Sequence, residues 1–330
     1  MPPAPDFELF MGPFLILVCI ALMLFGVTCA QVYSYWTTYE RDPVGYKILV
    51  GALWTLECTH TALCLHMLHG YFIKDIGDPS GLGNIIWSAG ATIFLEVPII
   101  ALAQGFSIAR IWQLSGGNVW ATAVPAVFLF FRVAFGFGTA TFLYVYNTWA
   151  DFDANRGPFV TVNCGLTLAA VVDLMVTVIL TYYLRQHKSS FRKTRYMVQK
   201  LVFYTINTGA ITMVFSISAV FFFNLLRTSL MFGGVVEIIC KLYANSTLAL
   251  LNARQRIKEQ AAMGSTGINS IPLELRGSGT ASGSSGGSSA YPRTGVKIGV
   301  FKEVSTFGGA QSPSIASRSE SDRKDSYSVV

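Results

Sequence analysis

Seven apolar stretches, each long enough to cross a bilayer, constrain this chain more than any other feature. A bilayer core needs roughly 20 apolar residues in helical form. The stretches lie near residues 13–36, 47–72, 85–112, 119–146, 159–186, 199–224 and 229–252. No water reaches the hydrocarbon to satisfy a bare backbone, so each stretch must be helical. SGGN, Ser115 to Asn118, breaks the third from the fourth, and GDPSGLGN, Gly77 to Asn84, breaks the second from the third. Most of the stretches lack the polar face that a soluble amphipathic helix repeats every turn. Only 13% of residues are charged and 52% are hydrophobic, against roughly a quarter charged in soluble domains. A water-soluble enzyme is therefore excluded. The predicted fold is an all-α integral membrane bundle of seven transmembrane helices. Its parts are a short extracellular N-terminus (1–12), the transmembrane domain (13–254) and a Ser/Gly-rich cytoplasmic tail (255–330) expected to be disordered.

Basic residues near the span ends set orientation, because cytoplasmic loops collect them. One side holds Arg41, Lys47, Arg110, Arg185, Lys188, Arg192, Lys193, Arg195, Lys200, Arg254, Arg256 and Lys258, twelve in all; the other holds only Lys74, Arg156 and Arg227. This imbalance predicts the N-terminus outside and the C-terminus in the cytoplasm. Tyr33, Tyr35, Trp36, Trp112, Trp120, Tyr182 and Tyr183 then fall near the inner interface, and Tyr71, Trp87, Tyr146 and Trp149 near the outer one. Aromatic belts take such positions. The acidic start, MPPAPDFELF, lacks the basic residues of a cleaved leader, so the first span is expected to be retained. Cys19, Cys29, Cys58, Cys64, Cys164 and Cys240 all lie in apolar segments, which argues against a disulfide framework.

The run Arg185 to Arg195 serves topology and could attract anionic lipid headgroups. From Met263 onward, tracts such as GSGTASGSSGGSS cannot bury a core. Within the tail, RKDS offers Ser326 for phosphorylation, and VKIGVFKEV could add as a strand to a cytoplasmic partner. A nucleic-acid partner is not expected of short loops held against a membrane.

Charged groups inside spans are costly and mark either a paired interior or a functional site. Glu57 and His60 lie at similar depth in the second span, Glu96 in the third, Arg132 in the fourth, Asp173 in the fifth, and Glu237 with Lys241 in the seventh. Four carboxylates face two fixed cations, an excess that low dielectric does not sustain. Either carboxylates are protonated, His60 is cationic, or a cation site exists. Spacings of three and four place Glu57, His60 and Cys64 on one stripe, and Glu237, Lys241, Asn245 and Asn252 on another. Asp173, Thr177 and Thr181 stripe the fifth span, while Thr205, Thr208, Thr212 and Ser216 stripe the sixth. These faces are expected to meet in a polar interior. Purely structural pairing would join Lys241 to Glu237, one turn away, and Arg132 to Glu96 or Asp173.

Four sharper functions compete with that pairing. His60, His66 and His69 share a span, but no other span offers a histidine, so neither a haem nor the late-helix histidines of metal hydrolases resembling ceramidases are supplied. Glu57-x-x-His60 remains a permissible metal half-site, but no metal and no cofactor are predicted. Glu237 and Lys241 resemble the acid and retinal-bearing lysine of microbial rhodopsins, without that family's third-helix pattern. The layout resembles G-protein-coupled receptors, without their signatures: the third span ends ARIWQLS, and the seventh lacks Asn-Pro-x-x-Tyr. Transport could use the buried charges, although no inverted repeat or interrupted helix pair is visible.

Five stretches together resemble a seven-helix membrane family of mushroom-forming fungi defined by a domain of unknown function. They are LECTHTALCLH (Leu56 to His66), ARIWQLS (Ala109 to Ser115), FRKTR (Phe191 to Arg195), YTINTG (Tyr204 to Gly209) and KLYANSTLALLNAR (Lys241 to Arg254). The resemblance implies a fungal integral membrane protein and supports seven helices, but it supplies no reaction. The function expected is receptor-like sensing or binding of a small molecule in a polar midplane cavity, at the plasma membrane and without catalysis. Proton- or cation-coupled transport is the alternative, and an intramembrane enzyme comes third. Glu57, His60, Glu96, Arg132, Asp173, Glu237, Lys241 and Asn245 are the expected ligand- or proton-binding residues.

Overall fold

A computed structural model of the chain describes residues 7–74, 81, 83–186, 192–226 and 229–266. These lie in a unit spanning Met1–Ile271; a second unit, Pro272–Val330, lies wholly outside the described residues. So do segment 187–191 of the basic run, the tail beyond Thr266 and, with it, Ser326.

The described helices are α1 (Phe7–Thr38), α2 (Val44–His69), α3 (Trp87–Leu114), α4 (Val119–Val145), the short α5 (Trp149–Ala154), α6 (Arg156–Gln186), α7 (Arg192–Leu225) and α8 (Met231–Thr266). All but α5 are long and apolar enough to cross a membrane, and they match the seven expected stretches. The chain is thus an all-helical, multi-pass membrane protein. Pro98 and Pro125 sit inside α3 and α4, both of which continue past them. One boundary moves. The expected tail from residue 255 begins instead as helix, since α8 runs to Thr266. Its extension, ARQRIKEQAAM, is rich in strong helix formers, and adding turns to an existing helix carries no nucleation cost.

The helices pack around two central members. α8 contacts α1, α2, α3 and α7, while α3 contacts α2, α4, α6 and α8. Over its apolar window α8 is 78% buried, against 44% for α3 and 17% for α4. α8 is therefore the axis of the bundle, and its polar residues face protein on several sides. α2 buries Val50, Leu53, Glu57, His60, Thr61, Cys64 and Met67, a stripe at helical spacing. His66 and His69 lie on its other faces, and both are exposed.

The aromatic belt holds in part. Tyr33, Trp36, Trp87, Trp112, Trp120 and Tyr182 are exposed, as side chains at a lipid interface should be. Tyr35 and Tyr71 are instead fully buried. α2 ends in a π-helical turn, Gly70–Lys74, that turns Tyr71 inward. The Tyr71 hydroxyl donates to Asn84 O (3.0 Å) and accepts from Ile86 N (3.3 Å) and Trp149 Nε1 (3.1 Å). Backbone bonds from Ile85 N to Asn147 O (2.8 Å) and from Trp149 N to Gly83 O (3.0 Å) stitch the two loops together. Tyr71 and Trp149 thus close one end of the bundle over α3 and α5. A Cβ at Gly70 would meet the end of the Ile86 side chain, which would have to shift to make room.

Candidate functional site

The geometry of α8 divides the polar residues into two clusters. Residues two apart on a helix point roughly 200° apart, so Lys241 and Tyr243 look to opposite sides. Lys241 looks toward α2. Its Nζ donates to Glu57 Oε2 (2.6 Å), Thr61 Oγ1 (2.8 Å) and His60 Nδ1 (3.1 Å), which accounts for all three ammonium protons. Lys241, Glu57 and His60 are each 0% exposed. The expected pairing of Lys241 with Glu237 is not formed. The α2 face presents three acceptors to the ammonium, whereas Glu237 turns to Cys64, whose Sγ donates to Oε2 at 3.0 Å.

The same contacts fix the state of His60. An ammonium only donates, so Nδ1 accepts and the ring proton sits on Nε2. The imidazole is neutral. His60 Nε2 lies 3.2 Å from Glu237 Oε2, yet it is not aligned for a hydrogen bond and has no other hydrogen-bond partner.

Tyr243 looks toward α4 and α6. Its hydroxyl donates to Asp173 Oδ2 (2.7 Å) and accepts from Arg132 Nη1 (2.9 Å). The Arg132 guanidinium also stacks on the Tyr243 ring, 4.7 Å from its centroid. Gln104 Nε2 donates to Asp173 Oδ1. Arg132 thus reaches Asp173 through a phenol, and the expected direct pairing with Glu96 or Asp173 is absent. The tyrosine fills the space between α4 and α6 and satisfies both charges.

Two neutral sets result, Lys241 with Glu57 and Arg132 with Asp173. Glu96 and Glu237 are the carboxylates left over, and both border one cavity of about 120 Å³ between α3, α4, α6 and α8. Arg132 borders it too; the remaining wall is mostly apolar and includes Phe14, Ile93 and Trp149. Glu96 is 8% exposed and forms no hydrogen bond or ion pair among the described residues. A second, polar cavity of about 60 Å³ lies between α3, α6, α7 and α8. Gln104 Oε1, Arg110 Nη1 and Thr205 Oγ1 have no hydrogen-bond partner beside it among the described residues. At roughly 30 Å³ per water it holds two.

Asn245 falls outside both clusters. Its Nδ2 donates to Leu24 O (3.0 Å) and its Oδ1 accepts from Thr28 Oγ1 (3.2 Å), which ties α8 to α1. Asn252 repeats the tie through Gln31 O (2.8 Å). Arg254 pairs with Asp42 and stacks over Tyr39 and Tyr46. The KLYANSTLALLNAR stretch is therefore the segment by which the central helix grips its neighbours. Lysine serves α2, tyrosine serves α4 and α6, and the two asparagines serve α1. Lys241 does not border the cavity beside Glu96, and its three ammonium protons are all engaged.

Charge and spacing do not point to the contributions of Tyr243, Gln104, Thr61 and Cys240. Tyr243 lies inside the KLYANSTLALLNAR stretch, and Gln104 is an uncharged polar residue in mid-span; either is a signal that leads here. Cys240 Sγ lies 3.7 Å from Glu57 Oε1. No curated protein and no solved structure matches the chain. Residues 169–256, which span the end of this site from Asp173 to Arg254, match a family of unknown function (DUF6534).

Proposed function

We propose that this membrane protein is a receptor-like sensor whose apolar cavity beside Glu96 binds a small, mainly apolar molecule carrying one cationic group. The observation that carries this reading is Glu96: a buried carboxylate on the cavity wall with neither hydrogen bond nor ion pair among the described residues. Uncompensated buried charge is expensive, and a ligand cation between Glu96 and Glu237 offsets it. Size narrows the class. A cavity of about 120 Å³ is somewhat smaller than the roughly 150 Å³ that accepts benzene in an engineered protein core. A short branched alkyl amine fits that volume and charge. Such a ligand touches α8, the axis of the bundle, whose helix continues to Thr266 and is the element able to carry a shift toward the tail. This reading takes that end of α8 as cytoplasmic and the N-terminus as outside, which the twelve-to-three bias of basic residues supports.

The test is ligand binding to protein in lipid nanodiscs, with short branched alkyl amines and their neutral isosteres as probes. Amines should bind and isosteres should not, and Glu96→Gln should weaken amine binding at least about tenfold, or 1.4 kcal/mol. Equal binding of amines and isosteres refutes the reading. The same pair of unmatched carboxylates supports proton- or cation-coupled transport as a second reading. Amine flux into sealed proteoliposomes would favour it over a receptor, and chemical conversion of the amine would favour an enzyme.

A further inference from the structure

We infer that His60 and Cys64 of α2, with Glu237 of α8, form a binding site for a divalent cation of zinc's chemical class. The inference goes beyond the cavity ligand; it shares Glu237 with that reading and rests otherwise on His60 and Cys64, which do not border the cavity. One donor atom from each of the three lies within 4.8 Å of the others, and all three residues are buried. Cys64 Sγ is 3.0 Å and His60 Nε2 is 3.2 Å from Glu237 Oε2. Zinc bonds of about 2.0–2.3 Å to N, O and S imply ligand–ligand edges of roughly 3.4–3.6 Å in a tetrahedron. The two edges to the carboxylate therefore need to lengthen by only a few tenths of an ångström, and the three donor atoms already lie within 4.8 Å of one another. His60 Nε2 supplies the independent sign: it is a fully buried polar atom with no hydrogen-bond partner among the described residues, 3.2 Å from the carboxylate. A mixed N, S and O donor set suits zinc better than calcium or magnesium, which take oxygen.

A neighbouring trio, Glu57, His60 and Cys240, has comparable spacing. Lys241 already serves it, with Nζ 2.6 Å from Glu57 and 3.1 Å from His60 Nδ1. The ammonium is the cation of that half, which leaves the Cys64–Glu237 half for a metal. The lysine also balances the protons. Loading expels the Cys64 Sγ proton and the His60 Nε2 proton, so two positive charges leave as two arrive. Metal on Nε2 requires a proton on Nδ1, and Lys241 supplies it across the existing 3.1 Å contact. The neutral amine keeps two protons for Glu57 and Thr61, and its lone pair accepts from Nδ1. Every contact of Nζ persists, with one reversed in direction. The His60 ring then donates its second N–H to a fixed partner, the usual support of a metal-bound histidine.

The experiment titrates Co²⁺, as a spectroscopic stand-in for zinc, into chelator-washed protein in nanodiscs. A thiolate-to-cobalt charge-transfer band should grow to about one ion per chain and vanish on adding Zn²⁺. Cys64→Ser should abolish the band, and His60→Asn should weaken cobalt binding more than about tenfold. Helical circular dichroism and a monodisperse elution profile establish that each variant is folded. His66→Ala/His69→Ala, which removes the other two histidines of the same helix, should leave the band unchanged. Wild-type protein showing no thiolate band at saturating Co²⁺ overturns the site without any variant. Retention of the band in folded Cys64→Ser, or its loss in His66→Ala/His69→Ala alone, overturns it as well.

Discussion

The Lys241–Glu57 pair gives the sharpest quantitative test of the packing scheme. At 2.6 Å and an effective dielectric of about 20, their attraction is about 6 kcal/mol. Desolvating the two ions costs several kcal/mol each, so the pair contributes little net stability. Losing one partner is different, because it strands the other charge: Lys241→Met leaves the Glu57 carboxylate buried beside the Cys240 thiol and the His60 ring, with no other cation paired to it among the described residues. Breaking a buried pair this way costs about 3–5 kcal/mol, whereas replacing both members with neutral groups is often close to neutral. Lys241→Met and Glu57→Gln should each therefore destabilise by about 3–5 kcal/mol, while the double variant should fall within about 2 kcal/mol of wild type. At roughly 2–4 °C per kcal/mol, each single variant melts roughly 6–20 °C lower in nanodiscs and the double recovers most of the loss. The cycle is read from melting temperatures followed by circular dichroism. Additive losses in the double variant would refute the pairing and return Lys241 to its helical neighbour Glu237.

Tyr243→Phe removes the hydroxyl between Arg132 and Asp173 and should cost about 2–3 kcal/mol, the price of two charged hydrogen bonds left unmade, measured on the same melting scale. Asn245→Ala loses two ties to α1 and should cost about 0.6–1.7 kcal/mol, as polar contacts between membrane helices do, with amine binding unchanged in the binding assay. Gly136→Ala places a Cβ 2.7 Å from Val97 Cγ2, so α3 and α4 must separate; an overpacking loss of about 1–3 kcal/mol should appear as a lowered melting temperature. Glu96→Gln replaces a buried carboxyl that has no hydrogen bond or ion pair among the described residues, so it should leave stability equal or raised while it weakens amine binding; a destabilised variant would show Glu96 to be structural.

Much of the architecture is legible in the amino-acid sequence alone. Hydrocarbon thickness and the absence of water force each long apolar stretch into a helix, which is why the seven spans emerge with ends shifted by only a few residues. Helical periodicity likewise puts Glu57, His60 and Cys64 on one buried stripe. The excess of two carboxylates is visible as a count. Their identity is not: periodicity says which residues share a face, but not which helix that face meets. Lys241 has an acid one turn away and bonds instead to another helix, because the α8 axis lies against α2 with three acceptors at one level. The same holds for the tyrosine that joins Arg132 to Asp173 and for the asparagine that serves only as a tie to α1. The trio of His60, Cys64 and Glu237 is split across 173 positions of chain between Cys64 and Glu237, where no local spacing could reveal it. The sequence by itself determined that the chain crosses the membrane seven times with charge in its interior. Only the packing of α8 at the centre decided which charges neutralise each other and which two carboxylates remain, since partner choice depends on distances between helices that share no local pattern.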